Sequence, residues 1–363
     1  MDGLKEFRKG INEIDEEMAK LFEKRMTYCR QIAAYKKENG LSVRDPGREK
    51  ELIAHCSELI RDEEIRSYYV NYLKAAIDVS CSYQEMRMKG MKVAYGGNEG
   101  AFANIAAKHL FPGSRLISMR DFTEAYRSVE YGENDCAVLP IENSMAGEVG
   151  TVMDLMFQGS LYIRQIYDLP VRHHLLGKKG CSKADITDVI SHPQALAQCS
   201  GYLAGMDVSL REAANTSAAA KAVLDNEGKG LAAIASDETA AVFGLDILDS
   251  DIQNSGVNTT RFAVFSRCAG DADPAAPNSA ENFIIMFTVK NEAGALAATL
   301  NIIGAHGYNM KSLKSRPLKS LPWNYYFYIE AEGNIHSRNG QAMMQELSAL
   351  CAELKLVGYY KSV

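Results

Sequence analysis

At 363 residues the chain exceeds what one core needs, so two or three domains are expected, and 47% apolar residues suffice for globular packing. A net charge of −6 gives no support to nucleic-acid binding and means that an anionic ligand has to be held by local cations. No apolar run approaches the length of a membrane span, the start Met1-Asp2-Gly3 is not a signal peptide, and eight scattered cysteines without a C-x-x-C pair fit reduced cytosolic thiols better than disulfides or zinc. The neighbours His173 and His174 form no metal pair, because adjacent strand residues point to opposite faces; both read as strand residues, and no metal is expected.

Residues 1 to about 90 read as helices. Leu4, Phe7, Ile11, Ile14, Met18, Leu21, Tyr28, Ile32 and Tyr35 keep a three-four spacing, and no Gly or Pro falls between Ile11 and Asn39. This spacing predicts one helix of roughly 35 residues, about 50 Å long. So small a domain cannot bury the stripe, and pairing with a second subunit is expected. Arg25 occupies a position where the repeat asks for an apolar residue. A cation there needs either an internal carboxylate or a bound anion. Asp45 and Pro46 suit the start of a second helix as N-cap and first position, which leaves Arg48 and Glu49 without a structural task. A third helix, about 63 to 88, carries Ser80 and Gln84 one turn apart.

Over residues 1 to 89 this pattern resembles the all-helical chorismate mutase family, at Arg8, Arg25, Lys36, Asp45, Arg48, Glu49, Ser80 and Gln84. The resemblance implies an active site inside a helical dimer, with Arg8 contributed by the other subunit and Arg25 and Arg48 holding two substrate carboxylates. Lys36 and Gln84, assisted by Glu49, would donate to the ether oxygen, while Asp45 and Ser80 complete the binding site. A pericyclic rearrangement needs no nucleophile or cofactor, only a clamp and stabilisation of developing negative charge.

From Lys92 the texture changes. Strand-like runs at Lys92–Tyr95, Leu116–Met119, Cys136–Ile141, Leu161–Ile166, Val189–Ser191, Leu231–Ala235 and Phe262–Phe265 alternate with helical ones, predicting mostly parallel sheets covered by helices. Ligands then gather beyond the carboxyl ends of the strands. Asn258-Thr259-Thr260-Arg261-Phe262 stands at the entrance of the last of these strands, and four further polar clusters sit at strand ends: the glycine loop 96–100, Asn143-Ser144, Ser191-His192-Pro193-Gln194 and Asn215-Thr216-Ser217. Capping explains any one of them; together they favour a shared cleft. The glycine spacing lacks the dinucleotide fingerprint, so no nicotinamide cofactor is expected.

Over about 91 to 268 the resemblance is to prephenate dehydratase, carried by Pro140-Ile141-Glu142-Asn143-Ser144, Ser191-His192-Pro193-Gln194, Ala233-Ile234-Ala235-Ser236 and Asn258-Thr259-Thr260-Arg261-Phe262. It implies two α/β lobes, like periplasmic binding proteins, around a cleft. Thr260 would give a proton to the departing hydroxyl, with Arg261 as charge partner. Asn143, Ser144, Ser191, Gln194, Thr216, Ser217, Thr259 and Phe262 would line the substrate. In a regular strand Thr260 and Arg261 face opposite ways, so both reach the cleft only from a loop or bulge.

Residues 269–280 are rich in Ala, Asp and Pro and read as a linker. Beyond them, from 281 to 363, strands at Asn282–Val289, Tyr308–Ser315, Trp323–Glu332 and Lys355–Tyr360 with helices at Ala295–Gly304 and Gln341–Leu350 give a ferredoxin-like α+β order. This region is similar to the phenylalanine-binding ACT domain. The resemblance implies regulatory contacts from Asn291, Gly294, Ala295, Leu296, Ser315, Arg316 and Pro317. An acidic residue is usual before the Ser; here Lys314 reverses that charge. The whole predicts an isomerase and a lyase on one chain, converting chorismate to prephenate and prephenate to phenylpyruvate, cytoplasmic, homodimeric or larger, without cofactors. Two alternatives are a dehydratase whose helical domain is only a dimer scaffold, and a two-lobed carboxylate sensor.

Overall fold

The computed structural model describes residues 2–270, 281–319 and 321–361. The chain divides into two compact units, residues 1–92 and 93–363. Most of the expected linker, from residue 271 to 280, lies outside the described residues.

In the first unit, α1 (Asp2–Glu38) is a single helix of 37 residues, as the three-four spacing predicts. Helix α2 (Pro46–Glu58) begins where Asp45 accepts the Arg48 N–H at 3.1 Å, and α3 (Glu63–Lys89) begins where Asp62 accepts the Glu64 N–H at 2.9 Å. Helix α3 packs along α1, and Leu73, Ile77, Cys29 and Ala33 are buried. The rest of the α1 stripe is not covered. Phe7 is 73% exposed and Leu21 65%, with Ile11, Ile14 and Tyr35 also open.

The second unit holds two sheets. Its first lobe runs β1 (Lys92–Gly96), α4 (Phe102–Leu110), β2 (Arg115–Met119), α5 (Phe122–Glu130), β3 (Cys136–Asn143), β4 (Gly147–Glu148), α6 (Gly150–Gln158) and β5 (Tyr162–Pro170). The second lobe runs β6 (His174–Gly177), β7 (Asp188–Ser191), α7 (Pro193–Gln198), α8 (Ser200–Leu203), β8 (Ser209–Glu212), α9 (Thr216–Asp225), β9 (Leu231–Ala235), α10 (Asp237–Phe243) and β10 (Asp246–Asp249). The chain leaves the first lobe at Pro170 and returns on β11 (Thr259–Ser266), with Thr259 paired to Pro170. Strands β6, β8 and β10 carry too few apolar alternations to be read from sequence. Only His174 of the histidine pair lies in a strand; His173 precedes it.

The sheets are mixed, correcting the mostly parallel expectation. β11 runs antiparallel to β3 and β5, and β6 runs antiparallel to β9 and β10, while β1–β3, β7–β8 and β7–β9 are parallel. A strand that returns from the other lobe through a short connection has no crossover helix, so it enters antiparallel.

The C-terminal part follows as β12 (Glu281–Thr288), α11 (Ala295–Ala305), β13 (Asn309–Pro317), β14 (Tyr325–Glu332), α12 (Arg338–Leu350) and β15 (Glu353–Lys361). Its strand–helix–strand–strand–helix–strand order is the expected one. It is not a separate bead. β15 pairs parallel with β5, so the large sheet runs β13-β14-β12-β15-β5-β11-β3-β1-β2. One apolar cluster spans the join, from Met153, Ile163 and Phe265 to Ile284, Met286 and Val357. The join is made at Gly358, opposite Ile163, where a Cβ would collide with the Ile163 backbone. Gly358→Val is therefore expected to part β15 from β5 and cost about 1–3 kcal/mol, as overpacking does. Urea unfolding that becomes two-phased would show it, and an unchanged single transition would contradict it.

Candidate active sites

In the first unit a pocket of about 500 Å³ opens between the three helices. Arg25, Lys36, Asp45, Arg48, Glu49, Ser80 and Gln84 all line it, seven of the eight residues singled out from the sequence. Arg25 is half-buried, and its Nε donates to Ser80 Oγ at 2.9 Å. The Ser80 hydroxyl in turn donates to Ala76 O at 2.8 Å, so its oxygen is free to receive Arg25. Among the described residues no carboxylate forms an ion pair with Arg25. Of the two explanations for a cation on this seam, an internal partner is absent and an anion site remains.

Lys36 reaches the Val43 carbonyl, which places its ammonium at the same wall. Arg48 is tied only to exposed Glu51 at 3.7 Å, and Glu49 accepts from Arg44 at 3.2 Å. Gln84 is buried, and its amide oxygen has no partner. Arg8 lies elsewhere. It sits 17 residues before Arg25 on one helix, about 25 Å away at 1.5 Å per residue, and is exposed.

In the second unit a cleft of about 530 Å³ separates the lobes. Its wall includes Asn143, Gln194, Thr216, Thr260 and Phe262 from the predicted set. The polar geometry is directional. Asn143 Oδ1 accepts from the N–H groups of Met145 and Ala146, both at 3.0 Å, which fixes its amide. Its Nδ2 therefore donates, to Asn258 Oδ1 at 2.8 Å and to Thr260 Oγ1 at 2.9 Å. A hydroxyl that accepts from Asn143 keeps its own proton for another acceptor. Thr260 is thus set to donate.

Cations do not dominate this cleft, contrary to the sequence expectation. Arg120 is the one Arg or Lys among the lining residues, and it leans on Asp121 at 3.1 Å. Helix ends take the place of side-chain charge. Residues at the N-termini of α4, α5, α6 and α9, each nine or ten residues long, line the cleft. Neither α4, entered at Ala101, nor α6, entered at Val149, has a side-chain cap. Their unpaired amide N–H groups and the helix dipoles favour an anion.

Several predicted contacts fall outside the cleft wall. Arg261 is the main correction: it faces away from Thr260, as strand alternation requires, and its guanidinium grips Glu330 of β14 at 2.8 and 3.1 Å, with Asp168 at 3.2 Å. Burial alone would lower the Arg261 pKa, but Glu330 outweighs it and the guanidinium stays charged; burial likewise pushes the Glu330 carboxyl up, and Arg261 with Tyr360 hold it below the usual range. Ser191 is fully buried and donates to Ile234 O at 2.6 Å, and Ser217 is turned to Glu99 O. Ser144 and Thr259 bond each other, the Thr259 N–H donating to Ser144 Oγ at 3.0 Å. These four hydroxyl residues hold the loops that shape the cleft. His192 caps α7, its Nδ1 accepting the Gln194 N–H at 3.2 Å.

Sequence reasoning missed Arg120, His173 and Gln198 in the wall. Gln198 stands one turn after Gln194 on α7, a spacing that offered a signal; His173 was masked by its neighbour. In the C-terminal part, Gly294 caps α11 with φ 85°, and Ala295 and Leu296 form its first turn, with Asn291 exposed just before. Ser315 and Pro317 are exposed on β13, but Arg316 is turned inward to Asp154 at 3.2 Å and Tyr326 at 3.0 Å. Lys314 pairs with Glu142 at 2.6 Å, which accounts for the reversed charge at that position.

Comparison with known proteins finds a family for each unit. Residues 7–85 match the chorismate mutase type II family and residues 93–269 the prephenate dehydratase family. A bifunctional chorismate mutase/prephenate dehydratase of Aquifex aeolicus is 30% identical over 99% of this chain and 98% of its own. An arogenate dehydratase/prephenate dehydratase of Arabidopsis thaliana is 32% identical over 74% of this chain and 72% of its own. The structure of prephenate dehydratase from Arthrobacter aurescens in complex with L-Phe is 26% identical, with a TM-score of 0.69 over 75% of this chain and 90% of that one. A helical unit with a cation-lined pocket, followed by a two-lobed unit with a donor-lined cleft, defines an enzyme with two active sites. The chain belongs to the bifunctional chorismate mutase/prephenate dehydratases, rearranging chorismate to prephenate and dehydrating prephenate to phenylpyruvate.

The Arg261–Glu330 pair generates a stability prediction. Glu330 is 1% exposed, so Glu330→Gln leaves a partly buried guanidinium short of its main partner, expected to cost roughly 3 kcal/mol with Asp168 remaining. The carboxyl is held below its usual range, so its stabilisation is present above the unfolded value and lost as pH falls through the folded one. Urea midpoints of wild type and Glu330→Gln should differ at pH 7 and converge in acid; equal midpoints at pH 7 would overturn the assignment.

Proposed function

We propose that residues 1–89 form the mutase domain and 91–268 the dehydratase domain, and that 281–363 form an ACT regulatory domain. In the mutase, Arg25 and Arg48 hold the two carboxylates of chorismate. Lys36 and Gln84 stabilise charge developing on the ether oxygen, with Glu49, Asp45 and Ser80 bracing them. Gln84 suits that task as a buried amide on the same pocket wall as Lys36. A millionfold acceleration needs about 8 kcal/mol, which clamping and one well-placed cation in a partly dry pocket share between them. The uncovered apolar stripe of α1 supports a homodimer, and the distance of Arg8 from the pocket supports its serving the partner's site.

In the dehydratase, Thr260 delivers the proton that lets the ring hydroxyl leave as water, while the ring carboxylate leaves as CO2 and its electron pair aromatises the ring. The observation that carries this reading is the Asn143–Thr260 hydrogen bond with its fixed direction. A threonine hydroxyl is a weak acid. Here the alkoxide left behind keeps the Asn143 N–H and the field of the converging helix N-termini. Arg120 and the uncapped ends of α4 and α6 receive the carboxylates.

Phenylalanine is read as the ligand of the C-terminal domain, through Asn291, Gly294, Ala295, Leu296, Ser315 and Pro317, with Arg316 tying that surface to α6. The L-Phe complex of the Arthrobacter relative supports this. Eight free thiols support a reducing compartment, the cytosol.

Arg25→Ala is expected to abolish chorismate use while leaving turnover of added prephenate. Thr260→Ala should do the converse, lowering dehydration about a hundredfold to ten-thousandfold and letting prephenate accumulate. Product analysis after feeding chorismate reads both, and loss of both activities in each folded variant would refute two sites. Phenylalanine should raise the thermal midpoint and slow dehydration; if it changes neither, the regulatory reading goes.

A further inference from the structure

The dehydratase reading leaves one buried ionisable side chain in the cleft wall without a task. His173 is 2% exposed, and its ring stands edge-on to Phe102, another wall residue, with centroids 5.9 Å apart. Its Nε2 lies 2.8 Å from Gln198 Oε1. An amide oxygen only accepts, so the ring proton is on Nε2 and Nδ1 is a bare lone pair. That Nδ1 is buried and has no partner among the described residues. The reverse arrangement, with Gln198 turned over and donating, would bury an orphaned N–H instead, the costlier of the two. Burial also pushes the His173 pKa below its ordinary value, with the Gln198 bond opposing that only in part. The ring is therefore neutral and held in one tautomer.

Simple packing does not explain this histidine. A phenylalanine or leucine would fill the space and strand no nitrogen. Both ends of the pair are anchored by backbone. The His173 N–H donates to Gln253 Oε1 at 2.9 Å, its carbonyl accepts from the Ile252 N–H at 2.9 Å, and the Gln198 carbonyl accepts from the Asn254 N–H at 2.7 Å. Gln198 lines the main cleft and also a side cavity of about 270 Å³ that shares Gln194 with it. With Oε1 engaged by His173, the group Gln198 has left to offer is its NH2.

We propose that His173 is a positioning residue for the dehydration: by donating from Nε2 to Gln198 Oε1 it fixes that amide so that the NH2 group faces the anionic substrate. This rests on the dehydratase reading of the cleft. Without His173 the amide is free to turn and present its oxygen. An acceptor would then stand where the carboxylate or the departing hydroxyl needs a donor, and an attraction becomes a repulsion. The wall around Thr260 is thus donor-rich by construction, with Asn143 locked by two backbone N–H groups and Gln198 locked by an imidazole.

The test uses the full chain with prephenate supplied directly. His173→Phe is expected to lose about a hundredfold in kcat/KM, the scale of a misplaced contact. His173→Gln puts an amide N–H near the position of Nε2 and should recover to within about fivefold of wild type. Gln198→Leu removes the donor itself, and the double variant His173→Phe/Gln198→Leu should be no worse than Gln198→Leu alone, because both changes remove one interaction. Gln198→Glu still accepts from His173 but shows the substrate a carboxylate. Its expected loss, also about a hundredfold and mainly in KM, provides a readout should His173→Phe fail to fold. Chorismate rearrangement should be unchanged throughout. The proposal is overturned if folded His173→Phe matches wild type, if His173→Gln is as impaired as His173→Phe, if the two losses multiply in the double variant, or if Gln198→Glu keeps full activity. Failure of the parent reading looks different: Thr260→Ala would then dehydrate prephenate at the wild-type rate.

Discussion

A single extra residue in β3 sets the dehydratase half of the molecule. Pairing between β11 and β3 slips between Arg261 and Phe262, so that Arg261 faces Glu142 while Phe262 faces Pro140, and Ile141 is the residue passed over. Such a bulge reverses the in–out alternation on either side of it. Pro140 and Asn143, three apart, therefore both reach the cleft, and Glu142 between them points the other way to Lys314. The freed Ile141 carbonyl accepts the Val149 N–H at 2.9 Å, which delivers the start of α6 to the same wall. In an unbroken strand Asn143 would share a face with Ile141 and not with Pro140, and Thr260 would lack the donor that orients its hydroxyl.

The two pockets draw their polar groups from different sources, and the folds explain why. In the first pocket Arg25, Lys36 and Arg48 line the wall, and the start of α2 that reaches it is capped by the Asp45 carboxylate. An α/β domain turns helix N-termini toward the carboxyl ends of its strands. Amide groups and dipoles then face the cleft, with Arg120 as the one Arg or Lys among its lining residues. The arginine next to Thr260 is released for another job. It joins β11 to β14 through Glu330, while Lys314 joins β13 to β3 through Glu142, so the strands that carry Thr260 and Asn143 are each tied to the C-terminal part on their far face.

The sequence made the helical unit legible because a 3.6-residue period over 37 residues has no competing reading; the period itself marked Arg25, and the other six predicted pocket residues came from the family resemblance. Strand and helix order in the C-terminal part was equally plain. Orientation was legible only in part. Strand alternation already turned Arg261 away from Thr260, but that Glu330 receives it depends on a residue 69 positions away. The bulge at Ile141 leaves no composition signal, and the hydroxyls of Ser191 and Ser217 look the same in sequence whether they line a cleft or brace one. The mixed sheets were missed for a related reason: β6, β8 and β10 have four residues each, too short for a period.

The pairing of β15 with β5 has a consequence for how this enzyme can be shortened. Removing everything after residue 280 would not detach a passenger. It would leave β5 as an open edge, uncover Met153 and Ile163 of a shared apolar cluster, and strand the Arg261 guanidinium beside the gap. A minimal dehydratase cut from this chain needs a capped edge and a neutral residue at 261 before it can remain soluble, whereas a cut at Gly90, between α3 and β1, removes no strand from any sheet.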